Sequence, residues 1–349
     1  MLLYIDYPNW LKPEVFSFLN ISPQNPLFNI KWYSMMYLVA IVLSYIQVNV
    51  MIKLENYKIK KKFIEEIYFW AVVGMIFGAR IFFCIIYDFS YYIYHPLEIL
   101  IPIRDGVFVG YQGLSYHGGA IGIFLGMFIS SRSLKVNFRD LCDLVFPSIP
   151  LGYTFGRIGN FINGELYGRI TATPIGVLFP DGEKLPITLP NVADIISKLG
   201  WNVDLTNNSV TNKVGEITNN VLGRMVLNGD MVTTINLPRH PSQLYEAFFE
   251  GIFIFIIMWF ILRKFKPFRG VRASIYLFCY GVVRFILEFF RQPDNQFADI
   301  DSGKYIGYIV GNISMGQILC LIMILIAIIT YIYLYYLNKE KYNASKASR

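Results

Sequence analysis

Between Trp32 and Ile52 the chain carries no charged residue, and apolar runs of this kind recur along its 349 residues. Each is close to the ~20 residues an α-helix needs to cross a bilayer. Such segments leave few structural choices, because in lipid the backbone polar groups must be satisfied within a helix or a closed barrel. Composition agrees: 55% of the residues are hydrophobic and 16% charged, against about 25% charged in soluble domains. The expected fold is an all-α polytopic integral membrane protein with about seven transmembrane helices.

The formal net charge of +7 raises nucleic acid as a partner, so its distribution matters. Lys53, Lys58, Lys60, Lys61 and Lys62 form one cluster, and Arg132, Lys135 and Arg139 a second. Arg263, Lys264, Lys266, Arg269 and Arg272 form a third, and Lys339, Lys341, Lys346 and Arg349 a fourth. From Asn163 to Pro238 the balance reverses, with five basic and seven acidic residues. This is the positive-inside pattern. It puts the N-terminus outside and the C-terminus in the cytoplasm, and it explains the charge without nucleic acid.

The predicted spans are Trp32–Ile52, Phe63–Tyr87, His117–Ser131, Arg139 into the stretch around Arg157, Gln243–Leu262, Ala273–Phe290, and one within Tyr305–Asn338. Pro147 and Pro150 should kink the fourth. The expected organisation is an extracytoplasmic arm (1–30), helices 1–4 (31–169), a small extracytoplasmic subdomain (170–238), helices 5–7 (239–338) and a cytoplasmic tail (339–349). Within 170–238, Ile175–Phe179 reads as a strand and Val192–Lys198 as a helix. Pro13–Leu19 reads as a short amphipathic helix. Cys84, Cys142, Cys279 and Cys320 lack CxxC spacing and read as small buried side chains. No His/Cys cluster has metal-ligand spacing, so neither a metal nor a cofactor is expected.

One stretch breaks the apolar pattern: Gly156-Arg157-Ile158-Gly159-Asn160-Phe161-Ile162-Asn163-Gly164-Glu165-Leu166-Tyr167-Gly168-Arg169. On a continuous helix Arg157, Asn160, Gly164 and Gly168 form one stripe, and charge at that depth is costly enough to imply function. A helix end with a glycine-rich cap is the plainer reading. Helical rise places Arg157 ~27 Å and Arg80 ~26 Å from the cytoplasmic face, with Arg284 and Glu288 at ~18 and ~24 Å. His117 and Tyr33 open helices from the outer side, so five spans converge on one layer. Arg284 and Glu288 are i,i+4 neighbours able to pair, and Arg157 has Glu165 as a candidate partner. Three deep arginines outnumber these acids, and the surplus points to an anionic ligand; guanidinium groups suit phosphate. Of the histidines, His95 reads as an exposed loop residue and His240 as part of a helix entry. His117, before two glycines, is the candidate general base, or a helix-start residue that only hydrogen-bonds.

This stretch closely resembles the signature of bacterial prolipoprotein diacylglyceryl transferases. Further blocks match in order: Lys31-Trp32-Tyr33 with Met36-Tyr37, Gly78-Ala79-Arg80, Ser115-Tyr116-His117-Gly118-Gly119, Arg239-His240-Pro241-Ser242-Gln243-Leu244-Tyr245-Glu246, Tyr280-Gly281 through Arg284 to Glu288, Phe289 to Asp294, and Ser314-Met315-Gly316-Gln317. The resemblance implies a seven-span enzyme of the bacterial cytoplasmic (inner) membrane, with its active site facing the outer side. It implies transfer of the diacylglyceryl group of phosphatidylglycerol to the lipobox cysteine of a prolipoprotein, forming a thioether and releasing glycerol phosphate. It also implies functional roles for Tyr33, His117, Arg157, Asn160, Glu165, Gly168, Tyr280, Arg284 and Glu288. The approach to the histidine, Tyr111 to Tyr116, departs from the family's usual tryptophan-containing form. The 170–238 segment is longer than usual.

The resulting expectation places His117, Arg157, Arg284 and Tyr33 in catalysis. Arg157, Asn160, Glu165, Gly168, Tyr280, Arg284, Glu288 and Arg80 are expected to bind substrate. Two competing readings use the same residues: an anionic-lipid transporter or flippase, and a scaffold whose ion pairs only join helices.

Overall fold

The structure is a computed structural model describing residues 4–16, 30–101, 103–104, 107–108, 113, 115–207, 209–212, 215–216, 221–227, 229–264, 268–292, 308–311 and 313–347. The helices are α1 (Trp32–Leu54), α2 (Lys61–Ile86), α3 (Phe89–Tyr92), α4 (Tyr116–Ser133), α5 (Phe138–Val145), α6 (Ile149–Ile162), α7 (Pro190–Leu199), α8 (Ser242–Lys264), α9 (Val271–Leu287) and α10 (Met315–Ala347). Among the described residues, α1, α2, α8 and α10 through Lys339 are long and apolar enough to cross a membrane. The chain is therefore a mostly helical membrane protein. It packs as two compact units, Tyr45–Val145 and Met1–Ser44 with Phe146–Arg349.

The Tyr45–Val145 unit is built on glycine. Gly74 and Gly78 of α2 face Gly122 and Gly118 of α4, and Gly126 faces the Trp70 carbonyl. A Cβ at Gly74, Gly78, Gly118, Gly122 or Gly126 would collide with a backbone carbonyl of the other helix. The reversed order of these pairs makes the two helices antiparallel. Lipid gives apolar side chains no reason to desert it, so close backbone approach supplies the dispersion contact that joins them. Near the C-terminal end of α2, Arg80 is only 4% exposed. Its guanidinium donates to the Glu98 and Ile99 carbonyls at 2.8 and 3.2 Å and to the Tyr92 hydroxyl at 3.2 Å. It thereby fastens the α3 loop to the end of α2. His95 in that loop is exposed, as expected.

The fourth predicted span is interrupted at Pro147 and Pro150: α5 ends at Val145, the last residue of the Tyr45–Val145 unit, and a 3₁₀ turn over Phe146–Ser148 precedes α6 in the other. A single helical rise from Arg139 to Arg157 therefore does not hold. The expected stripe fails beyond Asn160 as well. α6 ends at Ile162, and the chain turns through Gly164 (φ +67°) and Leu166 (φ +56°), so Gly164 and Gly168 lie off the helix. The end is sealed from a distance, because the Tyr7 hydroxyl lies 3.0 and 2.8 Å from the Phe161 and Ile162 carbonyls. Burial pushes this phenol up to about 12, which keeps it a proton donor at neutral pH.

The 170–238 segment folds around Leu178, Leu185, Val192, Trp201, Val210 and Ile235. After β1 (Ile5–Asp6) and the paired β2 (Ile103–Arg104) and β3 (Val107–Phe108), it contains strands β4 (Val177–Leu178), β5 (Leu185–Pro186), β6 (Asn202–Asp204), β7 (Ser209–Asn212), β8 (Gly215–Glu216), β9 (Leu222–Leu227) and β10 (Asp230–Ile235). β5, β10 and β9 form one antiparallel sheet and β6, β7 and β8 another, while β4 pairs in parallel with an N-terminal strand at Ile5–Asp6. α7 covers the predicted Val192–Lys198 helix, with Pro190 in its first turn and left-handed Gly200 as its cap. The amphipathic helix expected at Pro13–Leu19 does not form over its described part. Val15 instead donates to the Ile30 carbonyl at 2.9 Å, and residues 17–19 lie outside the described residues. All four cysteines are free thiols, three of them buried.

Replacing Gly122 with alanine should lower the melting temperature in detergent, since overpacking a tight contact costs about 1–3 kcal/mol. Gly119→Ala on the same helix should be near neutral, its Cβ meeting Ala79 at an ordinary 3.6 Å. Thermal unfolding of the two variants side by side checks this.

Candidate functional site: a buried arginine–glutamate cluster

α6, α8 and α9 bring their polar residues together. From α6, Arg157 Nε lies 2.9 Å from Glu246 Oε2 of α8 and donates to the Tyr153 hydroxyl one turn back, at 2.7 Å. Tyr153 in turn donates to Glu246 at 3.3 Å, and its ring lies under the Arg157 guanidinium at 4.7 Å. From α9, Arg284 Nη1 reaches Glu246 Oε2 at 3.2 Å and Glu250 Oε1 at 3.5 Å, while Nη2 reaches Glu288 Oε2 at 3.0 Å. Just past α9, Arg291 Nη1 lies 3.4 Å from Glu246 Oε1. Ser314 donates to Glu288 Oε1 at 3.1 Å, and a Cβ at Gly316 would strike that same oxygen.

Glu246 and Glu250 have no exposed surface and Glu288 only 3%. Burying a carboxylate is tolerated when cations and hydrogen bonds surround it, and here each carboxylate has at least one arginine. This corrects the expected surplus of arginine, which left out the two glutamates of α8. The i,i+4 pair of Arg284 and Glu288 forms as expected. Arg157 takes Glu246 as its carboxylate, and its link to Glu165 runs through Asn160. Arg157 Nη1 donates to Asn160 Oδ1 at 3.3 Å, and Asn160 Nδ2 donates to Glu165 Oε1 at 3.0 Å. Among the described residues no side chain accepts from Arg157 Nη2.

The other predicted site residues are distributed around or away from this cluster. Glu165 is exposed, with its backbone carbonyl accepting from Gln243 Nε2 at 2.7 Å. Tyr33, at the start of α1, packs its backbone against Gly159, and its hydroxyl is 2.9 Å from that of Tyr37. Tyr280 stands edge-on to Tyr153. Gly168 donates its N–H to the His240 carbonyl at 2.8 Å, and a Cβ there would collide with the Phe290 carbonyl. Close packing thus accounts for glycine at this position. His117 is exposed in the first turn of α4, whose cap is Ser115. His117 and Arg80 belong to the Tyr45–Val145 unit, while the cluster belongs to the other. Of the residues Tyr111 to Tyr116, 111, 112 and 114 lie outside the described residues.

Tyr153, Glu246, Glu250 and Arg291 were missed as site residues. Glu246 and Glu250 do carry a signal, since they are acids spaced i,i+4 inside a predicted span.

These features define a helical membrane protein that neutralises buried guanidinium groups with buried carboxylates and leaves one guanidinium edge open. The family described as prolipoprotein diacylglyceryl transferase matches residues 21–333, and the chain belongs to that family. It is similar to proteins named phosphatidylglycerol–prolipoprotein diacylglyceryl transferase in several bacteria. The Treponema denticola protein is 41% identical over 97% of both chains. The Chlorobaculum tepidum protein is 38% identical over 91% of this chain and 88% of its own. The Treponema pallidum protein is 36% identical over 93% of each. The transporter reading gains no support from these relatives.

Glu246→Gln should leave Arg157, Arg284 and Arg291 short of a shared carboxylate. Breaking a buried pair costs about 3–5 kcal/mol. The variant should therefore unfold at a markedly lower temperature than Glu165→Gln, whose carboxylate is exposed. Thermal denaturation in one detergent separates the two.

Proposed function

We propose that this chain transfers the diacylglyceryl group of phosphatidylglycerol to the lipobox cysteine thiol of prolipoproteins, forming a thioether and releasing glycerol phosphate. The observation that carries this reading is the open Nη2 edge of Arg157 within a buried cluster, in a chain of this family. Such an edge suits the phosphodiester of an anionic lipid, because a guanidinium offers paired donors to phosphate oxygens.

In the reaction the thiol loses its proton, and sulfur attacks the glyceryl carbon that bears the phosphate ester. The C–O bond breaks, and its electron pair leaves with the phosphate. A thiol near pKa ≈ 8.5 is mostly protonated at neutral pH, and His117 is the assigned acceptor of its proton. Negative charge grows on the leaving phosphate, where Arg157 and Arg284 stabilise it. Asn160 and Tyr33 fix the head group; Glu165 and Glu288 orient the arginines; Tyr280, Gly168 and Arg80 are the further residues proposed to bind substrate.

The topology proposed with this function has seven spans, formed by α1, α2, α4, α5 with α6, α8, α9 and α10. The N-terminal arm (1–30) and the 170–238 segment lie outside, the tail (339–349) lies in the cytoplasm, and the site opens to the outer side of the inner membrane. Helices 1–4 then occupy 31–169 and helices 5–7 occupy 239–338. The charge distribution of the connections supports this orientation.

Purified protein given phosphatidylglycerol and a lipobox peptide should yield a thioether-linked diacylglyceryl peptide, detected by mass spectrometry. Well-folded protein that yields none would exclude the transferase reading. Arg157→Ala should lower turnover by about 10²–10³, the scale on which lost transition-state donors act. For the base, His117→Gln should lower turnover by about 10²–10⁴, the scale of a lost general base; unchanged turnover assigns the proton to another group.

A further inference from the structure

α8 is not a uniform α-helix. After Ser242–Glu246 its backbone runs π-helical over Ala247–Phe253. Such i→i+5 turns are rare and need a local cause. No proline lies in this stretch, and its close contacts are with the neighbouring helix. Thr154 of α6 is buried, and its hydroxyl lies 3.3 Å from the Ala247 carbonyl and 3.1 Å from its own Pro150 carbonyl. Opposite it stands Gly251, where a Cβ would collide with Thr154 Oγ1. The preceding residue, Tyr153, gives its hydroxyl to Glu246. Two consecutive hydroxyls of α6 thus hold two consecutive residues of α8, at the point where α geometry gives way to π.

That point governs the charge cluster. In an α-helix the fourth residue on lies just past a full turn; in the wider π-turn it falls short of one. Glu246 ends the α turn and Glu250 follows it by four residues, inside the π stretch, and both carboxylates meet Arg284 Nη1, at 3.2 and 3.5 Å. We propose that Thr154 is a positioning residue: its hydroxyl, seated against Gly251, holds the π-turn of α8 and so sets Glu250 beside Glu246 on Arg284. The turnover measurement below rests on the transferase reading; the stability measurement does not.

Thr154→Val keeps the shape and removes the hydroxyl, whereas Thr154→Ser keeps the hydroxyl. The valine variant should lose turnover on phosphatidylglycerol and lipobox peptide by about tenfold or more, as small misplacements of a catalytic array do. The serine variant should stay close to wild type. Equal activity in valine and wild type, or equal loss in valine and serine, overturns the proposal. The stability arm is a thermal double-mutant cycle of Thr154→Val with Glu250→Gln. Non-additive shifts support the coupling, and additive shifts overturn it even if the wild type forms no thioether. Should the valine variant fail to fold, Thr154→Ser and Thr154→Ala take its place in the same cycle, with coupling expected for alanine and none for serine.

Discussion

A single carboxylate, Glu246, stands within ion-pair distance of three arginines contributed by α6, α9 and the turn after α9. None of those arginines could be buried alone, because a guanidinium stays charged and, uncompensated, would drag water in after it. Nor could the glutamate. The helices are therefore required to approach in one register, since a shift of one turn on any of them would strand a charge. Burial of ions is poor evidence for added stability; what it does impose is a penalty on any arrangement that separates the partners. The arrangement here surrounds Arg157 on its Nε and Nη1 sides, while among the described residues no side chain accepts from Nη2.

The two units solve the problem of joining helices in lipid by opposite means. Between α2 and α4 the chain removes side chains altogether, and backbones meet across facing glycines. Around the cluster it does the reverse, filling the interface with long polar groups whose hydrogen bonds fix angle and rotation. The first device maximises contact and tolerates little chemistry. The second carries chemistry and depends on many partners at once. Placing the open guanidinium edge in the second setting keeps its orientation under the control of Tyr153, Asn160 and Glu246.

Much of this was legible in the residues. Uncharged runs marked the long helices, Pro147 and Pro150 marked the break before α6, and Arg284 with Glu288 declared their pairing by spacing alone. These are local signals, and local physics governs them. What escaped was non-local. Glu246 meets Arg157 from 89 positions further along the chain, and no periodicity reports such a meeting. Gly168 looked like part of a helical stripe because the left-handed turn at Gly164 cannot be told from a helical glycine by composition. Its requirement for glycine comes from the Phe290 carbonyl, a contact that exists only once α9 is in place. Arg80 was legible as a deep arginine, yet the carbonyls that receive it belong to a loop without regular pattern.

The seal at the end of α6 has a consequence for how the chain is made. Tyr7 bonds to carbonyls 154 and 155 residues ahead of it, and Ile5 pairs with Val177. Ile5 and Tyr7 therefore wait for partners that are synthesised much later, and loop closure over such a span is slow compared with local helix formation. A seal made this way closes only after α6 and the strand at Val177 exist to receive it.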